Sequence, residues 1–572
     1  MMATDFFQQN KSSISGAHAR TLDQARLRLL TIAMFLMMGY LAVGLRLIDL
    51  TLPGHSGRAE VPAGREKGAE ALVKPLRGSI LDRNGNLMAA SLKMASVYAD
   101  ATLVDSPETL ARQLSGILPE LDAGDFLRKL ASGKRFVWIQ RNVTPKQEYA
   151  LNALGNPALG FQEESRRIYP DANLTAHVVG YTDVDGNGLA GIERAFDRQL
   201  SESGEPIRLT IDLRVQHMLH RELGRAVREF RARAGIGMVM DVNTGEIIAL
   251  VSLPDFDPNR ANDATDGQKF NNATLGVFEM GSTFKLFSVA AALDSGRVRF
   301  SSTFDATDPI RQGRFTISDT HPQRRVLTVP EIFIHSSNIG AAKMASFIGN
   351  EGMKNFYRTL GFMERAPVEL PERGFTLSPA PWRDIDTMTT SYGYGIAVSP
   401  LHLIRAASAI VNGGIMPVST LLKPDENSSP SPAGERIVRA ETSGQMRKLL
   451  ELAVAAGTGG NAWVEGYDVG GKTGTAEKNT HGGYERDVLL SSFLGVFPIR
   501  NPRYAVLAIL DEPKPTENTH GFATGGWTTA PVVAQVIGQM GPLYQIPPDM
   551  ARTRKDIEKE MAVYLKEKKK EG

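Results

Sequence analysis

At 572 residues, with 42% hydrophobic and 22% charged side chains, the chain is globular in composition and too long for one compact domain, so two or three folded units are expected. Sixty-five basic residues against 63 acidic ones leave a net charge of +2, which supplies no field for binding nucleic acid. There is no cysteine and the ten histidines are scattered, which excludes thiol catalysis and argues against zinc and iron–sulfur sites; no cofactor or metal is expected.

Taken from the N-terminus, Leu29 to Leu45 is a stretch of 17 residues without a charge, bracketed by Arg28 and Arg46. That length is at the short end of a membrane span. Snorkelling of Arg46 extends the apolar length through Ile48, so the span is placed at 29–48. Lys11, Arg20, Arg26 and Arg28 outweigh Asp5 and Asp23, and the positive-inside rule then puts residues 1–28 in the cytoplasm and everything after residue 50 outside. Ala42-Val43-Gly44 would suit a cleaved signal peptide, but the apolar run is longer than a usual signal core. A buried core helix would rarely be apolar all round. An uncleaved, single-pass anchor is the expectation. Residues 49–74, rich in Gly, Pro, Ala and charge, read as a linker.

From 75 to 225, short strand patterns mix with helical ones. The Arg77-Gly78-Ser79-Ile80-Leu81-Asp82-Arg83-Asn84-Gly85 run places Asn-Gly between apolar segments, a hairpin signal. No cluster of reactive side chains occurs here, so the segment reads as a spacer module. A larger unit spans 226–545. Gly237 to Val242 and Glu246 to Val251 flank Asn243-Thr244-Gly245 and predict a second hairpin. Helical patterns fill the 280s to the 360s. Leu489 to Phe497 and Arg503 to Leu510 are β-like, and Thr528 to Met540 predicts a helix. Strands at both ends with helices between predict an α+β fold, a mixed sheet covered by helices. Residues 546–572 form a charged C-terminal tail, of which 552–572 read as a solvated helix.

Three short elements occur in order within 226–545: Ser282-x-x-Lys285, Ser336-Ser337-Asn338 and Lys472-Thr473-Gly474-Thr475. Each alone is weak, since such pairs and triplets are usually helix faces or turns. Their contexts make the set stronger. Ser282 begins a good helix former, Thr283 to Leu293, closed by Gly296; a spacing of three puts Ser282 and Lys285 on one face. Serine needs a base to become a nucleophile, and a desolvated lysine near other cations can be neutral enough to act as one. The helix N-terminus presents free N–H groups to a developing oxyanion. Ser336 supplies a hydroxyl to relay the proton to a leaving amine, and Asn338 an amide to hold substrate and Lys285. The third element precedes strand-like sequence, and an edge strand there can pair with an extended peptide. Lys472 would lower the pKa of Lys285 and attract a carboxylate, Thr473 and Thr475 would offer it hydroxyls, and Gly474 would let the backbone come close.

These elements resemble those of penicillin-binding proteins and class A β-lactamases, with S-S-N in place of S-D-N. Over roughly 20–545 the chain is similar to class B penicillin-binding proteins. Supporting runs are RGSILDRNG, Arg167-Ile168-Tyr169-Pro170, Gly188 to Glu193, Asp241 to Glu246, and Tyr392-Gly393-Tyr394-Gly395 before Ser399-Pro400-Leu401. Met280 departs from the family, which usually has Pro before Gly-Ser-Thr. The resemblance implies a single transmembrane helix, a pedestal of the dimerisation type over 75–225 and a transpeptidase domain over 226–545. It implies a D-Ala-D-Ala transpeptidase that cross-links peptidoglycan at the cytoplasmic membrane, with its catalytic domain outside. Ser282 would attack the penultimate D-Ala carbonyl of a stem peptide and release terminal D-Ala, with the oxyanion held by N–H groups of Ser282 and Thr475. An amine of a neighbouring stem would resolve the acyl-enzyme, and β-lactams would be covalent inhibitors. The S-S-N element and Val97-Tyr98-Ala99-Asp100 resemble the division-specific, FtsI-like branch, which implies an FtsW-like SEDS-type glycosyltransferase and other division proteins as partners.

Rival readings are an elongation-type transpeptidase, a β-lactam hydrolase or sensor, and a division scaffold without activity. Glu351 and Asn355 match the E-x-x-x-N of a hydrolase, but they follow Asn338 too closely and sit in a predicted helix.

Overall fold

The computed structural model describes residues 33–41, 76–313, 315–424, 434–480 and 483–565. The chain divides into two compact units, 1–73 and 74–572. In the first, residues 33–41 are helical with exposed apolar side chains, Phe35 and Met37 among them. The rest of the expected 29–48 span, the 1–28 tail and the 49–74 linker lie outside the described residues. Among the described residues no helix is long and apolar enough to cross a membrane.

The second unit opens with the expected hairpin, β1 (Ile80–Leu81) against β2 (Leu87–Ala99). Asp82 Oδ1 accepts from the N–H groups of Asn84 and Asn86, both at 2.8 Å, and Gly85 takes φ +89°, which a side chain would strain. β2 also pairs antiparallel with β3 (Val137–Val143) and β4 (Leu159–Ile168), and β1 runs parallel to β5 (Ile207–Arg208). The helices Pro107–Ile117 and Ala123–Leu130 bury Leu110, Leu114, Phe126 and Leu130 against Val97, Ile139 and Val143, a small core of its own. Nearer the next domain, Arg77 and Arg167 converge on buried Glu193, each at 2.6 Å.

The larger domain is built on five strands in the order β12-β13-β14-β6-β7. β6 (Ala234–Asp241) and β7 (Ile247–Leu253) form the second expected hairpin. β12 (Gly470–Thr480), β13 (Gly483–Phe497) and β14 (Tyr504–Asp511) form a meander that joins β6 through β14. The sheet is therefore antiparallel throughout, and the expectation of a mixed sheet is corrected: hairpins need no crossover helices, and here every neighbour pair is a hairpin or an antiparallel closure of the two chain ends. One face packs on the helices Leu213–Glu229 and Ala530–Leu543, the other on the helices Lys285–Asp294, Pro400–Val411 and Ala440–Ala455. A Cβ on Gly237 would come 2.9 Å from Leu219, so glycine there lets the first helix lie close on the sheet. Between the sheet's two halves the chain adds four short strands: β8 (Thr303–Asp305), β9 (Ile310–Gln312), β10 (Phe315–Ile317) and β11 (Val326–Thr328), with β8 paired to β11 and β9 to β10.

Two further expectations are corrected. Lys472-Thr473-Gly474-Thr475 lies within the edge strand β12 rather than before a strand. Lys472 and Gly474 interrupt the strand pattern of Thr473 and Thr475, and pairing with β13 imposes the extended conformation on all four. Nor is 552–572 a solvated tail throughout. Residues 554–561 form a helix that buries Ile557 and Met561 in the main core; both lie one helical turn apart among charges that mask their pattern.

Candidate active site

Ser282 lies in a 3₁₀ turn, Gly281–Phe284, that leads directly into the Lys285–Asp294 helix. The turn is preceded by Met280, whose carbonyl accepts from Thr283 Oγ1 at 2.8 Å. Gly281 has φ +56°, and a Cβ on it would lie 2.4 Å from the Thr475 carbonyl oxygen. The absence of that Cβ brings the serine turn against β12. Gly393, at φ +84°, closes on Gly281 from the other side, and its carbonyl accepts from the Gly281 N–H at 3.2 Å.

The second element divides its work by residue. The short helix Val329–Ile334 is capped by His335 and followed by Ser336, which takes the left-handed φ of +55° rare for a residue with a Cβ. Ser337 then caps the next helix, Asn338–Ile348, with Oγ accepting from the Gly340 N–H at 3.0 Å. The reversal between the two helices turns Ser336 and Asn338 toward Lys285. Asp319 secures it, accepting from Ser337 Oγ at 2.7 Å and from the Ile339 N–H at 3.0 Å.

Lys285 Nζ, on a fully buried side chain, is 2.7 Å from Ser282 Oγ, 2.7 Å from Asn338 Oδ1 and 3.3 Å from Ser336 Oγ. Lys472 Nζ, also fully buried, lies 3.1 Å from the same Ser336 Oγ and donates to the Thr473 carbonyl at 3.0 Å. The two ammonium sites therefore share one hydroxyl. Burial pushes the Lys285 pKa well below the ordinary lysine value, and the charge of Lys472 pushes it further. Burial alone lowers Lys472 to about 7. A neutral Lys285 amine has two hydrogens and one lone pair. Asn338 Oδ1 and Ser336 Oγ can take the hydrogens, which leaves the lone pair to accept from the Ser282 hydroxyl. The arrangement can remove a proton from Ser282 without a histidine or carboxylate.

On the edge strand, Thr473 Oγ1 is 2.6 Å from Thr458 Oγ1, and Thr475 Oγ1 accepts from the Gly525 N–H at 3.3 Å. A Cβ on Gly474 would meet Ser492 Oγ at 2.3 Å and the Met280 carbonyl at 2.7 Å, so glycine lets β12 lie against both β13 and the serine turn. A cleft of about 450 Å³ continues along β12 past Ala476 and Glu477, walled by Phe278, Glu279, Leu377 and Ala397. All eight residues singled out in the three elements thus meet at one place. Asp319, Thr458 and the rings of Tyr392 and Phe333, 5.9 Å from Lys285 Nζ and 5.8 Å from Lys472 Nζ, join them without a sequence signal; Tyr392 alone lay in a quoted run. Glu351 and Asn355 are on the exposed face of the Asn350–Thr359 helix, where Asn355 accepts from Arg358, and take no part.

The comparisons with known proteins agree with this construction. Residues 235–538 match the family of the penicillin-binding protein transpeptidase domain, and residues 72–206 match the penicillin-binding protein dimerisation domain. A probable peptidoglycan D,D-transpeptidase FtsI of Caulobacter vibrioides is 39% identical over 542 residues, covering 92% of this chain and 90% of the relative. The peptidoglycan D,D-transpeptidase FtsI of Escherichia coli K12 is 31% identical over 519 residues, covering 84% and 86%. Among solved structures, penicillin-binding protein 3 of Mycobacterium tuberculosis, in complex with aztreonam, has a TM-score of 0.66 at 24% identity, covering 83% of this chain and 98% of that one; this likeness is one of fold. With a serine turn, a paired-lysine pocket and an edge strand in one cleft, and matches across both domains, the chain belongs to the class B penicillin-binding proteins, in their FtsI-like group.

Proposed function

We infer that the chain is a peptidoglycan D,D-transpeptidase of septal wall synthesis, acting through an acyl-enzyme on Ser282. The observation that carries this is the 2.7 Å approach of the buried Lys285 amine to Ser282 Oγ, beside a second buried lysine. Ser282 Oγ attacks the penultimate D-Ala carbonyl of a stem peptide as its proton passes to the Lys285 amine. The N–H groups of Ser282 and Thr475 hold the oxyanion. Collapse breaks the peptide bond, and Ser336, between Lys285 and Lys472, relays a proton to the departing D-Ala amine. Thr473, Thr475 and Lys472 hold the terminal D-Ala carboxylate, Asn338 the peptide and Lys285, and Gly474 admits the donor backbone along β12. An amine of a neighbouring stem then attacks the ester, displaces Ser282 and completes the cross-link. β-Lactams acylate the same serine.

The uncharged Leu29–Leu45 run, extended to Ile48 by a snorkelling Arg46, supports a single-pass anchor in the bacterial cytoplasmic membrane, with 1–28 inside and the catalytic domain outside. Residues 75–225 form the pedestal, 226–545 the transpeptidase domain, and an FtsW-like glycosyltransferase is the partner the pedestal would meet.

A fluorescent penicillin tests the chemistry. Stable labelling that is lost in Ser282→Ala is expected; rapid release of the label would mean a hydrolase, and no label a scaffold. Depletion of the protein followed by attempted rescue with Ser282→Ala tests the role. Unrescued filaments are expected, and round cells would transfer the enzyme to elongation.

A further inference from the structure

The C-terminal segment does more than cover apolar surface, because it touches the supports of two of the three catalytic elements. Arg552 pairs with Glu451 at 3.0 Å and with Glu560 at 2.8 Å, and the Arg554 guanidinium lies 5.1 Å over the Trp463 ring. Ile557 and Met561 then enter the core that contains Met446, Leu449 and Leu450 of the Ala440–Ala455 helix. That helix backs β12: a Cβ on Gly470 would meet Leu450 at 3.1 Å, two residues from Lys472. Beyond the helix, the Tyr564 ring packs edge-on to Phe300 at 5.3 Å, and the Tyr564 carbonyl accepts from Thr328 Oγ1 at 2.7 Å.

Thr328 is the N-cap of the Val329–Ile334 helix. Its N–H donates to Glu331 Oε2 at 2.8 Å, and its Oγ1 accepts from the Glu331 N–H at 3.4 Å. This helix is under two turns long and is followed by the strained Ser336, while its Phe333 ring lies under Lys472. A body so short transmits displacement of one end to the other. Release of the Tyr564 carbonyl at its N-terminus would then be felt by the Ser336 hydroxyl just past its C-terminus, which sits at 3.3 Å and 3.1 Å from the two lysines. Release of Met561 would remove a core contact of the helix behind β12, the strand that carries Lys472.

We propose that residues 552–565 are a positioning segment for acyl transfer, holding Ser336 and Lys472 in register with Lys285 from outside the cleft. The proposal rests on the roles given above to those three residues. Because the segment touches no substrate group, its loss slows the chemical step and leaves binding unchanged.

The test is made in the full-length chain with two point variants: Met561→Ala, and Tyr564→Ala, which keeps the Tyr564 carbonyl but removes the ring whose packing on Phe300 seats it on Thr328. Acylation by a chromogenic β-lactam is resolved by stopped flow into an apparent dissociation constant and a rate, well below each variant's melting temperature. The expected result is a rate at least tenfold lower with the dissociation constant within twofold. The acidic limb of the rate profile should also move to higher pH, since Lys285 loses both its dry surroundings and the neighbouring charge. A variant truncated after Arg552 should regain rate when a synthetic peptide of residues 553–572 is added. If both point variants acylate at the unaltered rate with an unaltered pH profile, the proposal is overturned, whatever their stability. Loss of acylation in Ser282→Ala would be unaffected, so the catalytic reading survives that outcome separately.

Discussion

Ser282 and Lys285 illustrate how little a pair of residues says by itself. Three apart on a helix, they would ordinarily face water. Here the lysine is fully buried and its three nearest polar neighbours are uncharged, so its neutral form is favoured and its lone pair is usable. Lys285→Gln should lower the rate of penicillin acylation by about 10²–10⁴, the usual range for a lost proton acceptor, with the melting temperature held or raised. In the unaltered enzyme the acylation rate should fall as pH drops and Lys285 takes up a proton, a trend that a pH series of stopped-flow traces will read. Lys472 carries a second, separable signature. Its folded pKa of about 7 lies below the ordinary 10.5, so the unfolded chain binds more protons between these values and stability rises with pH across that window. Below about pH 7 the full penalty of charging the buried amine applies. Denaturant unfolding from pH 7 upward should show this climb, at most about 1.4 kcal/mol per pH unit from one group, and Lys472→Met should flatten it.

At the scale of elements, the site depends on two backbones that approach without side chains between them. The 3₁₀ turn reaches β12 because Gly281 has no Cβ, and β12 reaches the turn because Gly474 has none. Gly281→Ala places a methyl 2.4 Å from the Thr475 carbonyl at a φ of +56°. The left-handed backbone costs about 1 kcal/mol, and an ångström of displacement at the nucleophile is worth about 100-fold in rate. Acylation by labelled penicillin should fall by at least that factor while the labelled fraction at long times still depends on Ser282. Met280 joins this contact only through its carbonyl; its φ of −89° is within reach of proline but its side chain is buried in the main core, so Met280→Pro should keep the acylation rate and lower the melting temperature.

Across the whole molecule, the hairpin run Arg77 to Gly85 links the two domains: Arg83 pairs with Glu246 of the catalytic domain at 3.0 Å, and Arg77 enters a buried charge cluster of the pedestal. Glu193 is fully buried and accepts from both Arg77 and Arg167. Glu193→Ala would leave the buried Arg167 guanidinium without a carboxylate and Arg77 with Asp197 alone, an expected loss of about 3 kcal/mol that equilibrium unfolding in urea will measure. Glu193→Gln keeps the shape and should cost less. The segment from Arg552 to Leu565 returns to the catalytic domain through the Arg552–Glu451 pair, so residues 552–565 belong to the body of the fold rather than to its solvent shell.

The local and the periodic were legible in the amino-acid sequence. Asn84-Gly85 and Asn243-Thr244-Gly245 mark hairpins because few residues accept the backbone these turns need, and both hairpins are present. Ser282, Lys285 and the helix they open follow from spacing, and the other two elements from their resemblance to a family. What the tertiary structure alone decided is whatever depends on distant segments meeting. It buried Lys472 beside Ser336, made the sheet antiparallel throughout, drew Asp319 and Thr458 beside the catalytic elements and docked residues 554–565 on the core. A sequence carries turn chemistry and helix period in adjacent residues. Burial, which makes the two lysines reactive, is set by parts of the chain far apart along it, and only the folded molecule holds it.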